Sequence, residues 1–178
     1  MFLSRRQLFG HFTGAAIAAP PHARAIFGRL EPTPQEIVGP FYPIAKPADS
    51  DADLTLLADR KSRAAGQIIE ISGRVVDLAG RPVPRAALEI WQANAAGRYA
   101  HPSDDNPAPL DPNFQGYARL ATDSAGEYRI VMVKPGAYPG GRRGMRTPHV
   151  HFDLSGRFDG WWRKCSFPKN RTMPPMPC

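Results

Sequence analysis

Ile68, Ile69, Glu70, Ile71, Ser72, Gly73, Arg74, Val75, Val76, Asp77 is the stretch on which the fold class turns. It is rich in β-branched residues, and the turn formers Leu78, Ala79, Gly80, Arg81, Pro82 separate it from a second such run, Ala86 to Ala93. Gly116 to Thr122 and Glu127 to Lys134 make another pair around Asp123, Ser124, Ala125, Gly126, and His149 to Leu154 makes a further strand. Short strands joined by turns, with no long amphipathic helix after residue 60, predict an all-β chain whose residues 66–159 form an antiparallel β-sandwich. No repeat of fixed period interrupts that pattern. A chain of 178 residues, 42% hydrophobic with 20 Pro and 16 Gly, suffices for one loop-rich domain with its own core.

Outward from the strands the character changes. Residues 26–65 are Pro-rich and lack long periodic runs, which predicts an extended arm; its one compact patch is Gly39, Pro40, Phe41, Tyr42, Pro43, a turn whose aromatics pack on the body or line a pocket. Asp49, Asp51 and Asp53 have the spacing of a calcium loop but lack its glycine and terminal glutamate, so they read as a solvated turn. The net charge of +7 comes from the ends: all 16 Asp and Glu lie between Ile26 and Asp159, balanced there by an equal number of Lys and Arg. That balance argues against a nucleic-acid partner.

Residues 1–25 read as an export leader. Ser4, Arg5, Arg6, Gln7, Leu8, Phe9 resembles a twin-arginine motif, the run Phe12 to Ala19 is mildly apolar, and Ala23, Arg24, Ala25 has the small-x-small form of a cleavage site. Pro20 and Pro21 interrupt the alternative, an amphipathic first helix, and the run is too short to span a bilayer. A periplasmic or secreted product with no membrane span in the mature chain is the expectation. Cys165 and Cys178 both sit in the tail, so the body has no disulfide framework.

Reactive side chains gather in the connections. In Arg146, Thr147, Pro148, His149, Val150, His151, Phe152 the two-residue period sends both imidazoles to one face, a pattern shared by metal ligands and by hydrogen-bonded histidines. Gly97, Arg98, Tyr99, Ala100, His101 follows the second strand, and Lys134, Pro135, Gly136, Ala137, Tyr138, Pro139 leads out of the fourth. Either tyrosine alone reads as a half-buried packing residue.

Taken together, Glu89 to Asn94, Gly97 to Tyr99, Pro109 to Phe114, Lys134 to Pro139 and Pro148 to Phe152 resemble the intradiol ring-cleavage dioxygenases, a likeness running from about Val38 to Asp159. The resemblance implies a non-haem Fe(III) ion held by Tyr99, Tyr138, His149 and His151. It also implies a catechol-like aromatic substrate and O2 as partners, and ring opening between the two hydroxyls to a muconate-type diacid. Tyr138 matches the ligand that substrate displaces. Arg146 matches a basic residue beside the ring, where a guanidinium stabilises developing negative charge; a surface arginine paired with an acid is the plainer reading. The donor set suits the ion, because phenolate oxygen is a hard donor and ferric iron a hard cation. Two phenolates and a hydroxide would also leave the site neutral. Which catechol is taken depends on pocket residues such as Tyr42, Arg98 and Gly140, and the oligomeric state stays open.

Two other readings compete. Gly80 to Leu88 also resembles transthyretin-like sandwich modules, which would make the chain an exported, non-catalytic binding module; a catalytically impaired family member is the related case. A zinc or copper site using His149, His151 and His101 is the third, although His101 reads better as a loop residue near the mouth. The tail departs from the family pattern: after Asp159 an apolar strand with a glutamine is expected, whereas Gly160 to Pro168 has no period of two. A one-base change of frame after Asp159 spells such a strand, so residues 160–178 read as a frameshifted ending that would leave an unpaired sheet edge.

Overall fold

The computed structural model describes residues 30–34, 37–140, 144–155 and 176–177. The leader read over residues 1–25 lies outside them, as does the tail read over residues 160–178 apart from the backbone of Met176 and Pro177. The strands are β1 (Ile68–Val76), β2 (Ala87–Gln92), β3 (Tyr117–Ala121), β4 (Glu127–Val133), β5 (Tyr138–Pro139), β6 (Met145–Arg146), β7 (Val150–Ser155) and β8 (Met176–Pro177). One sheet has the order β4-β1-β8, a second β3-β2-β7, and β5-β6 forms a small ribbon. Pairing is antiparallel except where β8 runs parallel to Val75 and Val76 of β1. The chain is an all-β, mainly antiparallel sandwich, and no helix occurs among the described residues.

Two strand pairs that are consecutive in sequence, β1 and β2 and then β3 and β4, are divided between the two sheets. β1 pairs with β4 and β2 with β3 and β7, so the turns at 77–86 and 122–126 cross between sheets rather than closing hairpins. Each strand has one strongly apolar side, and folding across the interior lets two such sides meet over the roughly 10 Å that separates packed sheets. The crossings are tied to each other: Thr122 Oγ1 donates to Val83 O at 2.7 Å and accepts from Ala86 N at 2.9 Å. Val75, Leu88, Ile90, Ala118, Ile130, Met132, Phe152 and Leu154 fill the space between the sheets.

Part of the Pro-rich arm is built into this sandwich. Leu54 N donates to Val131 O at 2.9 Å, Val131 N donates to Ala52 O at 2.8 Å, and the Leu54 side chain is fully buried in the core. The acidic triplet that leads into it is more than a solvated turn. Asp49 accepts from Ala58 N at 2.6 Å, Asp51 from Asp53 N at 2.8 Å, and Asp53 from Thr55 N at 3.0 Å while it pairs with Arg63. These carboxylates take up backbone donors that leave the sheet ladder as the arm bends, the usual role of Asp in tight turns.

Burying a leucine stabilises by roughly 1.5–3 kcal/mol, and truncating one also leaves a cavity. Leu54→Ala is therefore expected to cost about 2–5 kcal/mol in urea unfolding. Ile44→Ala, in the same arm but at a side chain 75% exposed, should stay within about 0.5 kcal/mol. Equal effects would show that the arm does not belong to the core.

Candidate metal centre

Alternation along β2 creates two interiors. Leu88 and Ile90 enter the core between the sheets, which turns Glu89 and Trp91 to the outer face of β3-β2-β7. Register then sets Trp91 between Tyr117 of β3 and His151 of β7. Because β2 is the central strand, this outer row needs a cover. It comes from the arm, through Val38, Phe41 and Tyr42, and from two loops carrying Tyr99 and Tyr138.

Asn94, just past β2, holds both loops. Its Oδ1 accepts from Ala96 N and Arg98 N at 2.9 Å each, its Nδ2 donates to Pro109 O at 2.9 Å, and its carbonyl accepts from Gly97 N at 3.0 Å and Gly136 N at 2.9 Å. Tyr99 is fixed a second time where its backbone N–H donates to Asp104 Oδ2 at 2.7 Å. Gly97 has φ 82°, and a Cβ there would lie 2.1 Å from Ala137 O, so only glycine lets the two tyrosine loops touch.

The four residues singled out by sequence come together. The Tyr99 and Tyr138 rings meet edge to face at 5.3 Å and those of His149 and His151 at 4.8 Å, while Tyr138 and His149 are tilted at 5.4 Å and Tyr99 and His151 at 6.5 Å. Tyr138 Oη donates to His149 Nε2 at 3.2 Å. His149 Nδ1 must carry the ring proton, because at 2.7 Å it faces Thr147 O, which can only accept. Arg146 lies across the β5-β6 ribbon from Tyr138, with its guanidinium 5.8 Å from that ring.

Other sequence candidates take lesser positions. His101 accepts from Ser103 N at 3.1 Å and meets Phe41 at 5.7 Å. Among the described residues no three His, Cys, Asp or Glu side chains converge, so the three-histidine zinc or copper site is not formed there. Arg98 faces Asp104 at 3.8 Å. Gly140 leaves room for Arg146, whose Cγ would lie 2.8 Å from a Cβ at that position. Tyr42 donates to Glu89, which also pairs with Lys46. Burial works against the Glu89 charge, but Lys46 and Tyr42 hold its carboxyl below the usual range. Phe41, expected mainly to pack, lies 4.6 Å from Tyr99 and 5.9 Å from Tyr138 and walls the cluster. Motif reading overlooked Trp91 and Asn94 as site-building residues, although strict alternation from Leu88 places Trp91 on the histidine side.

Burial dominates the electrostatics. It pushes the Tyr99 phenol far up, assisted by Tyr138, and raises Tyr138 despite the opposing charge of Arg146. Burial, then His149 and Arg146, push His151 down to about 3, and burial also lowers His149. The resulting pocket holds neutral donors, and the buried Tyr99 hydroxyl and His151 Nδ1 have no hydrogen-bond partner in normal geometry.

Comparison with known proteins supplies a family. The sequence model of the Dioxygenase family matches residues 37–160. The protocatechuate 3,4-dioxygenase beta chain of Burkholderia cepacia is 46% identical over 123 residues, covering 68% of this chain and 52% of that protein. The chain belongs to the intradiol dioxygenase family. Catechol 1,2-dioxygenase of Acinetobacter baylyi is 30% identical over 146 residues, 74% of this chain and 44% of that protein. The solved hydroxyquinol 1,2-dioxygenase of Pseudomonas putida DLL-E4 is 26% identical with TM-score 0.55, covering 70% of this chain and 44% of its own. The chain thus spans about half the length of the curated relatives it matches.

The dioxygenase residues fit a ferric ion. A buried hydroxyl without a partner costs about 1–3 kcal/mol, and two phenols beside two imidazoles offer hard oxygen and borderline nitrogen donors to a small cation. His149 is in the tautomer that leaves Nε2 unprotonated, where it accepts from Tyr138 Oη and offers a lone pair to a cation, with Thr147 O fixing the other nitrogen.

Two outcomes follow from this site. Gly97→Ala and Gly144→Ala share the penalty of a positive φ, about 1–3 kcal/mol, but nothing lies within 4 Å of a Cβ at Gly144. Gly97→Ala is expected to lower the thermal midpoint clearly more than Gly144→Ala; equal losses would show that the tyrosine loops do not depend on their close approach. The second outcome concerns acid. His151 titrates near 6.5 unfolded and about 3 folded, so its contribution is present above pH 6.5 and is lost as pH falls toward 3. Metal-free protein should lose stability from pH 6.5 to 4.5, and His151→Asn should flatten that slope in urea titrations.

Proposed function

We propose that this chain cleaves a catechol-type aromatic ring between its two hydroxyls with O2, giving a muconate-type diacid, at a ferric site formed by Tyr99, Tyr138, His149 and His151. The observation that carries the reading is the convergence of two buried phenols on two imidazoles, 4.8 to 6.5 Å between ring centroids, inside a dioxygenase fold. When bound, the ion would take up phenolate charge and draw electron density from a catecholate so that O2 can react with the ring.

The protein's own contribution is positional and electrostatic. Tyr99 is held by Asp104, Phe41 and the Asn94 network, which makes it the permanent oxygen donor. Tyr138 sits on a two-residue strand beneath Arg146 and is the more replaceable donor. Once deprotonated on the ion, its oxygen could take a proton from an incoming substrate hydroxyl. Arg146 is exposed, and its guanidinium can oppose negative charge that develops on the ring. Phe41 and Trp91 exclude water on the arm side, which strengthens each of these interactions. Residues 1–25 add the proposal that the enzyme is exported by the twin-arginine route and works in the periplasm or outside the cell.

Reconstitution with ferric iron tests the reading. Phenolate-to-iron charge transfer should colour the protein, and catechol should shift the band. Tyr99→Phe and His149→Ala should abolish iron retention, whereas Tyr138→Phe should keep iron but turn over poorly. Colourless protein at full iron occupancy would remove the phenols from the site and leave a binding module; normal turnover in all three variants would remove the assignment.

A further inference from the structure

The two imidazoles of the site are held by different means. His149 is fixed by a hydrogen bond, Nδ1 to Thr147 O at 2.7 Å. His151 has no such bond: its Nδ1 is buried without a partner. What lies against it is Trp91, whose ring is parallel to the imidazole within 5° at 4.8 Å between centroids. Trp91 is itself almost completely buried, and the Tyr42 ring meets it edge-on at 5.0 Å and 83°. Tyr42 cannot drift, because its hydroxyl donates to Glu89, two residues before Trp91 on the same face of β2.

We infer that Trp91 is the positioning residue for His151: with no hydrogen bond to set the ring plane, the indole face sets it, and Glu89 through Tyr42 clamps the indole in place. The inference rests on the ferric reading above and gives Trp91, there only a wall that excludes water, a role toward one particular ligand. Metal-binding histidines ordinarily have their second nitrogen tied to a carbonyl or carboxylate, which fixes the ring and tunes its basicity. A flat aromatic contact can do the first task without the second, since offset stacking restrains ring rotation but takes no proton. The β2-β7 register makes the contact unavoidable, because Trp91 and His151 are directly paired across the two strands. The arrangement implies a division of labour, with His149 held by polar contact and His151 by apolar contact.

The test uses the full chain labelled in its histidine rings, as wild type, Trp91→Leu, Trp91→Phe and Glu89→Gln, with thermal melting of each as the control for folding. In metal-free wild type the carbon-bound ring protons of His151, assigned by their loss in His151→Asn, are expected upfield of those of a free histidine because they lie over the indole. Trp91→Leu should remove that upfield shift while leaving His149 in place, and should speed loss of ferric ion to a chelator by about tenfold or more, the usual effect of removing a ligand's support. Trp91→Phe should regain most of both, and Glu89→Gln should show a smaller change in the same direction. His151 signals without an upfield shift in wild type would overturn the inference, which keeps it testable even if Trp91→Leu does not fold. So would a folded Trp91→Leu that releases iron at the wild-type rate, or a Trp91→Phe no better than Leu. If the wild type binds no ferric ion at all, the proposed function falls, and the ring signals alone then decide whether Trp91 orients His151.

Discussion

Strand β2 is central in its sheet and has apolar or aromatic residues on both faces, so each face requires a separate cover. Leu88 and Ile90 are covered by the opposite sheet, whereas Trp91 and Glu89 look away from it. Leaving an indole bare to water would forfeit the largest hydrophobic contribution any side chain can make. Arm residues 38–42 and the Tyr99 and Tyr138 loops complete that second interior, and the candidate centre is formed from the residues that meet there. The site is in this sense a by-product of covering one strand.

Loops make poor walls unless their backbone groups are satisfied, since an unpaired buried amide costs about as much as a lost hydrogen bond. Asn94 answers this for three segments at once, because its side chain and carbonyl together meet donors or acceptors from residues 96–98, 109 and 136. One ordered side chain thereby fixes both phenol-bearing loops, and the entropy of ordering them is offset jointly rather than loop by loop. The close contact at Gly97 is the geometric result, leaving the two phenols 5.3 Å apart between ring centroids.

That second interior is chemically incomplete in a way the first is not. The sheet-to-sheet core is filled mainly by aliphatic groups with Phe152 and Tyr128 among them, but the outer cluster encloses hydroxyl and ring nitrogen atoms whose charged forms burial disfavours. A small multivalent cation reverses this preference, because it favours the deprotonated phenol and the neutral imidazole together. The convergence of the four rings and their donor chemistry therefore point the same way, and Arg146 adds positive charge 5.8 Å from the Tyr138 ring.

Much was legible in the sequence because it depended on short-range periodicity. The five main strands, the all-β class and the placing of His149 and His151 on one face need only the two-residue alternation. Tyr99 and Tyr138 stood out by local motifs, and the family likeness gave them a common purpose. Strand order did not follow, since a turn that crosses between sheets and a turn that closes a hairpin use the same Gly, Pro and Asp residues. The burial of Leu54 depends on hydrogen bonds to Val131, far along the chain, and no local pattern in a Pro-rich arm announces that pairing. The roles of Phe41, Asn94 and Trp91 were decided by tertiary structure for the same physical reason: each acts through a neighbour that only the β2-β7 register or the meeting of two loops brings within reach. Sequence determined which groups could do chemistry, and packing decided which of them share a space dry enough for it to matter.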